Sequence, residues 1–214
     1  MREALALYEQ IGDQNGWSRA LLFLGFCVKD NPRDLWETSL ALARDGGDHV
    51  HTARVLSNLA KLADRQGERD RAAALFNESL TLARDTGDRW VLALVLLGLS
   101  EATCRAGDYD LAEELGEECL RVALEVGHRA HTMACLVILA EIAGAQGHAE
   151  RAALLIGAAE RLAETLGPRP IDRGRFDAAV REALGEPGYQ SAWAKGREMT
   201  IERAVEYALE RPPK

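Results

Sequence analysis

Ser39 to Asp48 reads SLALARDGGD and Ser79 to Asp88 reads SLTLARDTGD, with eight of ten letters unchanged across forty residues. A third version, ALALYEQIGD, runs from Ala4 to Asp13. A phrase that returns at a fixed distance marks a repeat architecture, in which each unit is one supersecondary element stacked on its neighbours. The glycines keep the same period. Gly47, Gly87, Gly127 and Gly167 form one series, and Gly67, Gly107 and Gly147 form a second. Between them lie segments of about 19 residues whose apolar positions recur at three and four, the period of an amphipathic helix. Glycine just beyond such a segment is a helix stop, because it accepts a left-handed backbone. Asp13, Asp48 and Asp88 follow these stops and suit the N-cap of the next helix, a place where His128 departs from the pattern.

The chain therefore reads as antiparallel helical hairpins. Helix A and helix B of the first full unit fall at 17–28 and 33–45, and later pairs at 49–66 with 69–86, 89–106 with 109–126, and 129–146 with 149–166. The first unit is shortened at its turn, Lys29-Asp30-Asn31-Pro32, and carries extra residues around Asn15-Gly16. Composition agrees. Of 214 residues, 47% are hydrophobic and only 6% aromatic, and most of the six prolines lie at or beyond Pro168. Alternating runs of Val, Ile and Thr, the mark of strands, are missing.

Charge and composition exclude several functions. The net charge is -8 and no stretch is rich in Lys or Arg. Direct nucleic-acid binding starts from basic groups on phosphates, and neither that nor an anionic membrane surface fits this balance. The start, MREALALYEQIGD, is amphipathic and lacks the apolar centre of a signal peptide. No uncharged run is long enough to span a bilayer. The expected location is the cytoplasm, where Cys27, Cys104, Cys119 and Cys135, without CxxC spacing, serve as small apolar core residues. His51 and His131 occupy equivalent places, and His128 stands three before His131, but converging partners for a metal are lacking and exposed polar positions are expected. No Ser-His-Asp or Cys-His constellation stands out, so no enzyme activity, cofactor or metal is assigned.

Within each unit a small residue of helix A stands twelve places before an alanine of helix B: Ala60/Ala72, Ser100/Ala112 and Ala140/Ala152. A second small residue follows at Ser79, Cys119 and Ala159, with Leu59, Leu75, Phe76, Leu99, Leu115, Leu139 and Ile156 filling the space around. This pattern resembles the tetratricopeptide repeat (TPR), best at Ala60, Ala72, Phe76 and Ser79. It departs in its period of forty and in lacking the proline that often ends helix B. The resemblance implies an all-α, right-handed superhelix over residues 1–167. The phrase at Ala4–Asp13 then reads as the end of a helix B whose helix A is absent, so the chain is expected to begin inside a longer array, the alternative being a lone N-terminal capping helix.

After Gly167 the period stops, and capping helices are expected over 168–214, near 173–184, 189–196 and 201–210, with Asp172 and Thr200 as N-caps. Phe176, Leu184-Gly185, Tyr189, Trp193, Gly196-Arg197, Met199-Thr200, Glu202, Ala204 and Ala208-Leu209 resemble the extreme C-terminus of bacterial STAND-type ATPase regulators of the LuxR or MalT kind. That likeness implies a sensor or interaction module of a signalling or transcription regulator. The chain has no GxxxxGK[ST] loop and no DNA-reading domain, so neither activity is assigned to it.

In TPR proteins the A helices line a concave groove. Carried over, the groove positions are Arg19, Leu22 and Phe26, then Arg54, Ser57, Lys61 and Arg65, then Leu94, Leu97, Glu101 and Arg105, then Ala134, Val137 and Glu141. WVLALVLLGLS, from Trp90 to Ser100, is apolar on nearly every side, so something must cover it. The candidates are a partner peptide or helix, a small apolar ligand, and the chain's own C-terminal helices. The expected function is non-enzymatic docking of a protein or peptide. Arg54, Lys61 and Arg65 would hold acidic groups, and Leu94, Leu97 and Val137 an apolar anchor. The alternatives are sensing of a small-molecule inducer, or a structural or homodimerising spacer with a self-filled groove.

Overall fold

The computed structural model describes Tyr8 and residues 11–28, 31–167 and 176–210. Most of the phrase at Ala4–Asp13, together with Lys29, Asp30, Pro168, Pro170 and Asp172, lies outside the described residues. The fold is all-α, with no strand among the described residues. Helices α1 (Gln14–Cys27), α2 (Arg33–Asp45), α3 (His49–Arg65), α4 (Arg69–Thr86) and α5 (Arg89–Ala106) are followed by α6 (Tyr109–Glu125), α7 (Arg129–Ala145), α8 (Ala149–Glu164), α9 (Phe176–Glu198) and α10 (Ile201–Leu209). Contacts divide the chain into two compact units, Met1–Gly98 and Leu99–Lys214, with the division inside α5.

The predicted hairpins lie within a residue or two of these limits, except at α1. That helix begins at Gln14 rather than 17, so Asn15 and Gly16 are its first turn and not an insertion before it. Asp13 accepts the N–H of Gly16 at 2.9 Å and fixes this earlier start. Asp48 does the same for His51 and Asp88 for Val91, each at 2.9 Å. His128 keeps the role with different chemistry, its Nδ1 accepting the N–H of His131 at 3.1 Å. Glycines at the helix ends take positive φ, as at Gly47 (67°) and Gly87 (68°).

In the first unit, consecutive helices α1 to α4 pack as antiparallel pairs. Leu22, Trp36, Leu40, Val55, Leu56 and Leu59 form the core, with Leu62, Leu75 and Leu82 against it. The close crossings rest on small polar residues. Ser18 Oγ donates to the Ser39 carbonyl at 2.6 Å, and Ser39 Oγ donates back to the Ser18 carbonyl at 2.7 Å. Ser79 Oγ donates to the Ala53 carbonyl at 2.7 Å in the next hairpin. Each serine is wholly buried and satisfied, so it permits close approach without a stranded hydroxyl. Ion pairs join α2 to α4: Arg33 to Glu68 at 2.6 Å, Glu37 to Arg71 at 2.6 Å, and Arg44 to Glu78. Ion pairs this close to solvent add little to stability, so packing and not this ladder holds the unit together.

In the second unit α6, α7 and α8 pack consecutively on one another, and the helices after Gly167 pack onto them. α9 packs along α8, and α10 reaches α8, α7 and α6. α9 is broken at Gly185 (φ 65°, ψ 158°), so two of the expected short helices are joined across a kink. Arg181 fastens this kink. It donates to Asp177 at 2.8 Å and to Glu186 at 2.9 Å, and lies over the Tyr189 ring at 3.8 Å. The buried Tyr189 donates its hydroxyl to Asp177 at 2.7 Å. Thr200 caps α10 as expected, accepting from the Arg203 N–H at 3.2 Å.

α8 and α9 meet backbone to backbone. A Cβ on Gly157 would stand 2.2 Å from the Trp193 carbonyl oxygen, and one on Gly196 would stand 2.0 Å from that of Leu154. Trp193 Nε1 donates to Glu160 at 2.9 Å and Arg197 to Glu164 at 2.8 Å along the same seam. Gly196→Ala must therefore force the two helices apart. It should lower the unfolding free energy by about 1–3 kcal/mol, read as a reduced urea midpoint, whereas Ala194→Ser, on an exposed position of the same helix, should leave the midpoint in place.

Candidate binding face on the A helices

Helices α1, α3 and α5 bring a compact group together within the first unit. The Arg54 guanidinium lies between two rings, 5.3 Å from the Phe23 centroid and 5.0 Å from that of Trp90. Phe23 and Phe26 are exposed by 50% and 54%, the most exposed aromatic side chains among the large apolar residues described. Arg54 is half-buried, and among the described residues no carboxylate pairs with it. Burial and the nearby Arg19 charge both draw its pKa below the usual guanidinium value. Arg19 itself is occupied, bonded to Asp48 at 2.8 Å. A cation held between rings gains from the ring faces, yet a partly desolvated charge without a counter-ion still favours any anion that can reach it.

One turn along α3, Ser57 is wholly buried and its hydroxyl has no hydrogen-bond partner. One turn further stands the half-buried Lys61, also without a carboxylate among the described residues. Its chain runs where α5 has Gly98: a Cβ there would stand 2.3 Å from Lys61 Cε and 3.1 Å from Phe76. Residues 54, 57 and 61 share a helical face by spacing, which gives a strip of two cations with a buried hydroxyl between them.

The positions inferred from the sequence fall into two kinds. Arg19, Phe26, Arg65 and Arg105 are exposed, and Arg54, Lys61, Leu94, Glu101, Ala134, Val137 and Glu141 are half-buried, so all of these have surface. Leu22 (0% exposed), Ser57 (0%) and Leu97 (6%) do not. Leu22, Ser57 and Leu97 hold equivalent places in successive A helices, and this middle position of the face is packed inside the chain. Leu22 is a member of the first unit's core. Leu97 is correspondingly a core residue and not an apolar anchor for a ligand. The sequence reading missed Phe23 and Trp90. Both signals were present, since Phe23 stands four after Arg19 and Trp90 four before Leu94.

Two other expectations are corrected. His51 (5% exposed) and His131 (9%) are buried, not exposed. Their shared position faces inward in α3, α5 and α7, as the 2% exposure of the equivalent Val91 attests, and His51 Nε2 lies 3.5 Å from Ser39 Oγ. Cys27 is exposed at the end of α1, while Cys104, Cys119 and Cys135 are buried as expected. Among the described residues no group of His, Cys, Asp and Glu could hold a metal ion, and no helix is long and apolar enough to cross a membrane.

Residues 33–85 match the family model of the tetratricopeptide repeat. That stretch covers α2, α3 and nearly all of α4, so the hairpin carrying Arg54, Ser57 and Lys61 lies inside the matched region. A TPR-like array is therefore supported on sequence and on helix packing together. No curated protein matches the chain.

Two outcomes follow from this geometry. Ser57→Ala removes an unsatisfied buried hydroxyl and should raise stability by about 1 kcal/mol, read in urea unfolding. Burial is the largest influence on His51 and holds its pKa below the ordinary 6.5, with Asp48 opposing and Arg19 and Arg54 assisting. The unfolded chain then takes up the proton more readily than the folded one. This contribution to stability is complete above about pH 6.5 and is lost as pH falls from there toward the lower folded value. The urea midpoint of the wild type should fall between about pH 7.5 and about pH 5.5 more than that of His51→Val, which carries the residue type found at Val91.

Proposed function

We propose that the chain is a non-enzymatic recognition module that docks a segment of a partner protein on the A-helix face of its TPR-like hairpins. TPR repeats generally mediate contacts between proteins, and a face with surface on successive helices suits an extended or helical peptide. The observation that carries the reading is Arg54, half-buried between Phe23 and Trp90 with no carboxylate of the described chain beside it. Lys61 extends the same preference by two helical turns. A complementary segment offers acidic groups to Arg54 and Lys61 and an apolar side chain to the exposed Phe23 and Phe26.

The setting we propose is a cytoplasmic bacterial signalling or transcription regulator, with the array over 1–167 and its terminal helices from 168. Support comes from the likeness of residues 176–209 to the ends of such regulators. Trp193, Gly196 and Arg197, three residues of that likeness, serve the docking of α9 on α8, and Tyr189, a fourth, fastens the kink within α9. The inducer alternative has one observation behind it, a cleft of about 160 Å³ beside α10 whose lining includes Leu136, Leu162, Met199, Ile201, Arg129 and Arg161. Pockets for drug-sized ligands run from about 300 Å³ upward, so the peptide reading is preferred.

Because Leu97 belongs to the core, glutamate at 94 and 97 together would confuse binding with folding. Arg54→Ala is the cleaner probe. A partner captured from lysate by the wild-type chain should be narrowed to a short peptide, and its affinity measured by fluorescence anisotropy. Arg54→Ala should weaken it about tenfold, near 1.4 kcal/mol, with unchanged far-UV helicity. Equal affinity for both chains would remove the A-helix face as the docking site.

A further inference from the structure

Cys119 and Cys135 place their sulfur atoms 2.9 Å apart, from helices α6 and α7. Both side chains are wholly buried, and both helices belong to the second unit. A disulfide needs the two sulfurs at about 2.05 Å, so under an ångström of closure separates this pair from a bond. The repeat gives the pairing further meaning. The place of Cys119 is taken by Ser39, Ser79 and Ala159 in the other units, and that of Cys135 by Val55 and Val95. Neither place calls for sulfur on packing grounds, and here the two departures meet at a single contact.

We propose that Cys119 and Cys135 are an oxidation site, joined as a disulfide by a low-molecular-weight disulfide such as oxidised glutathione, and that the bond pins α6 to α7. One protein thiol, as thiolate, attacks the small disulfide, forms a mixed disulfide and releases one small thiol. The second protein thiol loses its proton and attacks the protein sulfur of that mixed bond. The Cys119–Cys135 bond forms and the second small thiol departs. Two protein thiols are oxidised, one small disulfide is reduced to two thiols, and the two protons end on the leaving groups. Contact with Cys119 and burial raise the Cys135 thiol well above its usual pKa. The closed fold thus holds Cys135 as an unreactive thiol, burial keeps both sulfurs from a small disulfide, and attack awaits local opening of the α6–α7 seam. Stacked repeats are stabilised through contacts between neighbours, and a bond between helix B of one hairpin and helix A of the next acts at that junction.

The test uses the full chain with the exposed Cys27 replaced by serine, equilibrated over a series of glutathione redox ratios, with and without mild urea. Free thiols are then alkylated, and peptide mass mapping locates any link. The expected result is one intramolecular bond between Cys119 and Cys135 that forms faster in mild urea, together with a melting temperature several degrees higher than that of the reduced chain. Cys135→Val and Cys119→Ser carry residues already present in other units, so both should fold, and both should lose the bond and the shift. Cys119 and Cys135 remaining alkylatable at every ratio, or a link to Cys104 instead, would overturn the proposal. A Cys119–Cys135 bond that leaves the melting temperature unchanged would overturn the pinning of α6 to α7.

Discussion

Everything in this fold depends on how closely antiparallel helices approach, and one position of each repeat sets that distance. Ser39, Ser79, Cys119 and Ala159 stand forty residues apart and are all wholly buried. A larger side chain there would open the crossing and strand the leucines around it. A small one brings backbone within reach of side chain, which is why Ser39 and Ser79 can satisfy their hydroxyls on carbonyls of the preceding helix. The same constraint appears in its extreme form at Gly157 and Gly196, where no side chain at all is tolerated. Close packing of this kind contributes dispersion and apolar burial together, and exposed ion pairs such as Glu37 with Arg71 add little beyond it.

The close approach also decides what the A helices can present. Along α1, α3 and α5, positions three and four apart share a face, but the middle of that face is packed inside the chain, whereas the equivalent Val137 of α7 is half-buried. Leu22 and Leu97 are apolar there and serve the core. Ser57 is the exception, a hydroxyl sealed without a hydrogen-bond partner between two cations that have no carboxylate beside them among the described residues. A fold selected for stability alone would place an alanine at 57 and a carboxylate near Arg54. The chain carries both costs on one strip of one helix, a local disagreement with otherwise consistent packing.

Much of this was legible in the letters. The forty-residue phrase gave the hairpins, the glycine stops gave their ends, and the small residues gave the crossings. The break after α8 was legible too, through Gly167 and the loss of phase. What the sequence left obscure were depth and role. Spacing assigns Leu22, Ser57 and Leu97 to the same face as Arg19, Arg54 and Leu94, but it does not say which members the neighbours cover. His51 and His131 look polar in a list and are buried in the fold, because their position faces inward whatever residue fills it, as Val91 does. His128 looks like the loss of a cap, yet an imidazole nitrogen accepts the same N–H that aspartate does elsewhere. Exposed Phe23 escaped notice because the family pattern defines places by period, while the Arg54 stack depends on how far two rings and one guanidinium reach.

How the repeats end is written into α8 itself. In α4 the outward positions are Arg71, Ala74 and Glu78, all exposed, and the matching places in α6 include exposed Leu111 and Glu114. In α8 these places are Arg151, Leu154 and Ala158, all buried under the helices that follow. Leu154 and Ala158 remove the charge that would oppose a covering helix. Arg151 keeps its charge and turns it to use, donating to the carbonyls of Tyr207 at 3.0 Å, Ala208 at 2.6 Å and Glu210 at 2.5 Å at the end of α10. Carbonyls at a helix C-terminus have no partner within the helix and carry partial negative charge, so a guanidinium satisfies several of them at once. Arg71, an exposed partner of Glu37 in the first unit, thus has as its counterpart the clamp that fixes the last helix of the second. The repeat supplies the scaffold position, and what covers it determines whether the residue there is surface or structure.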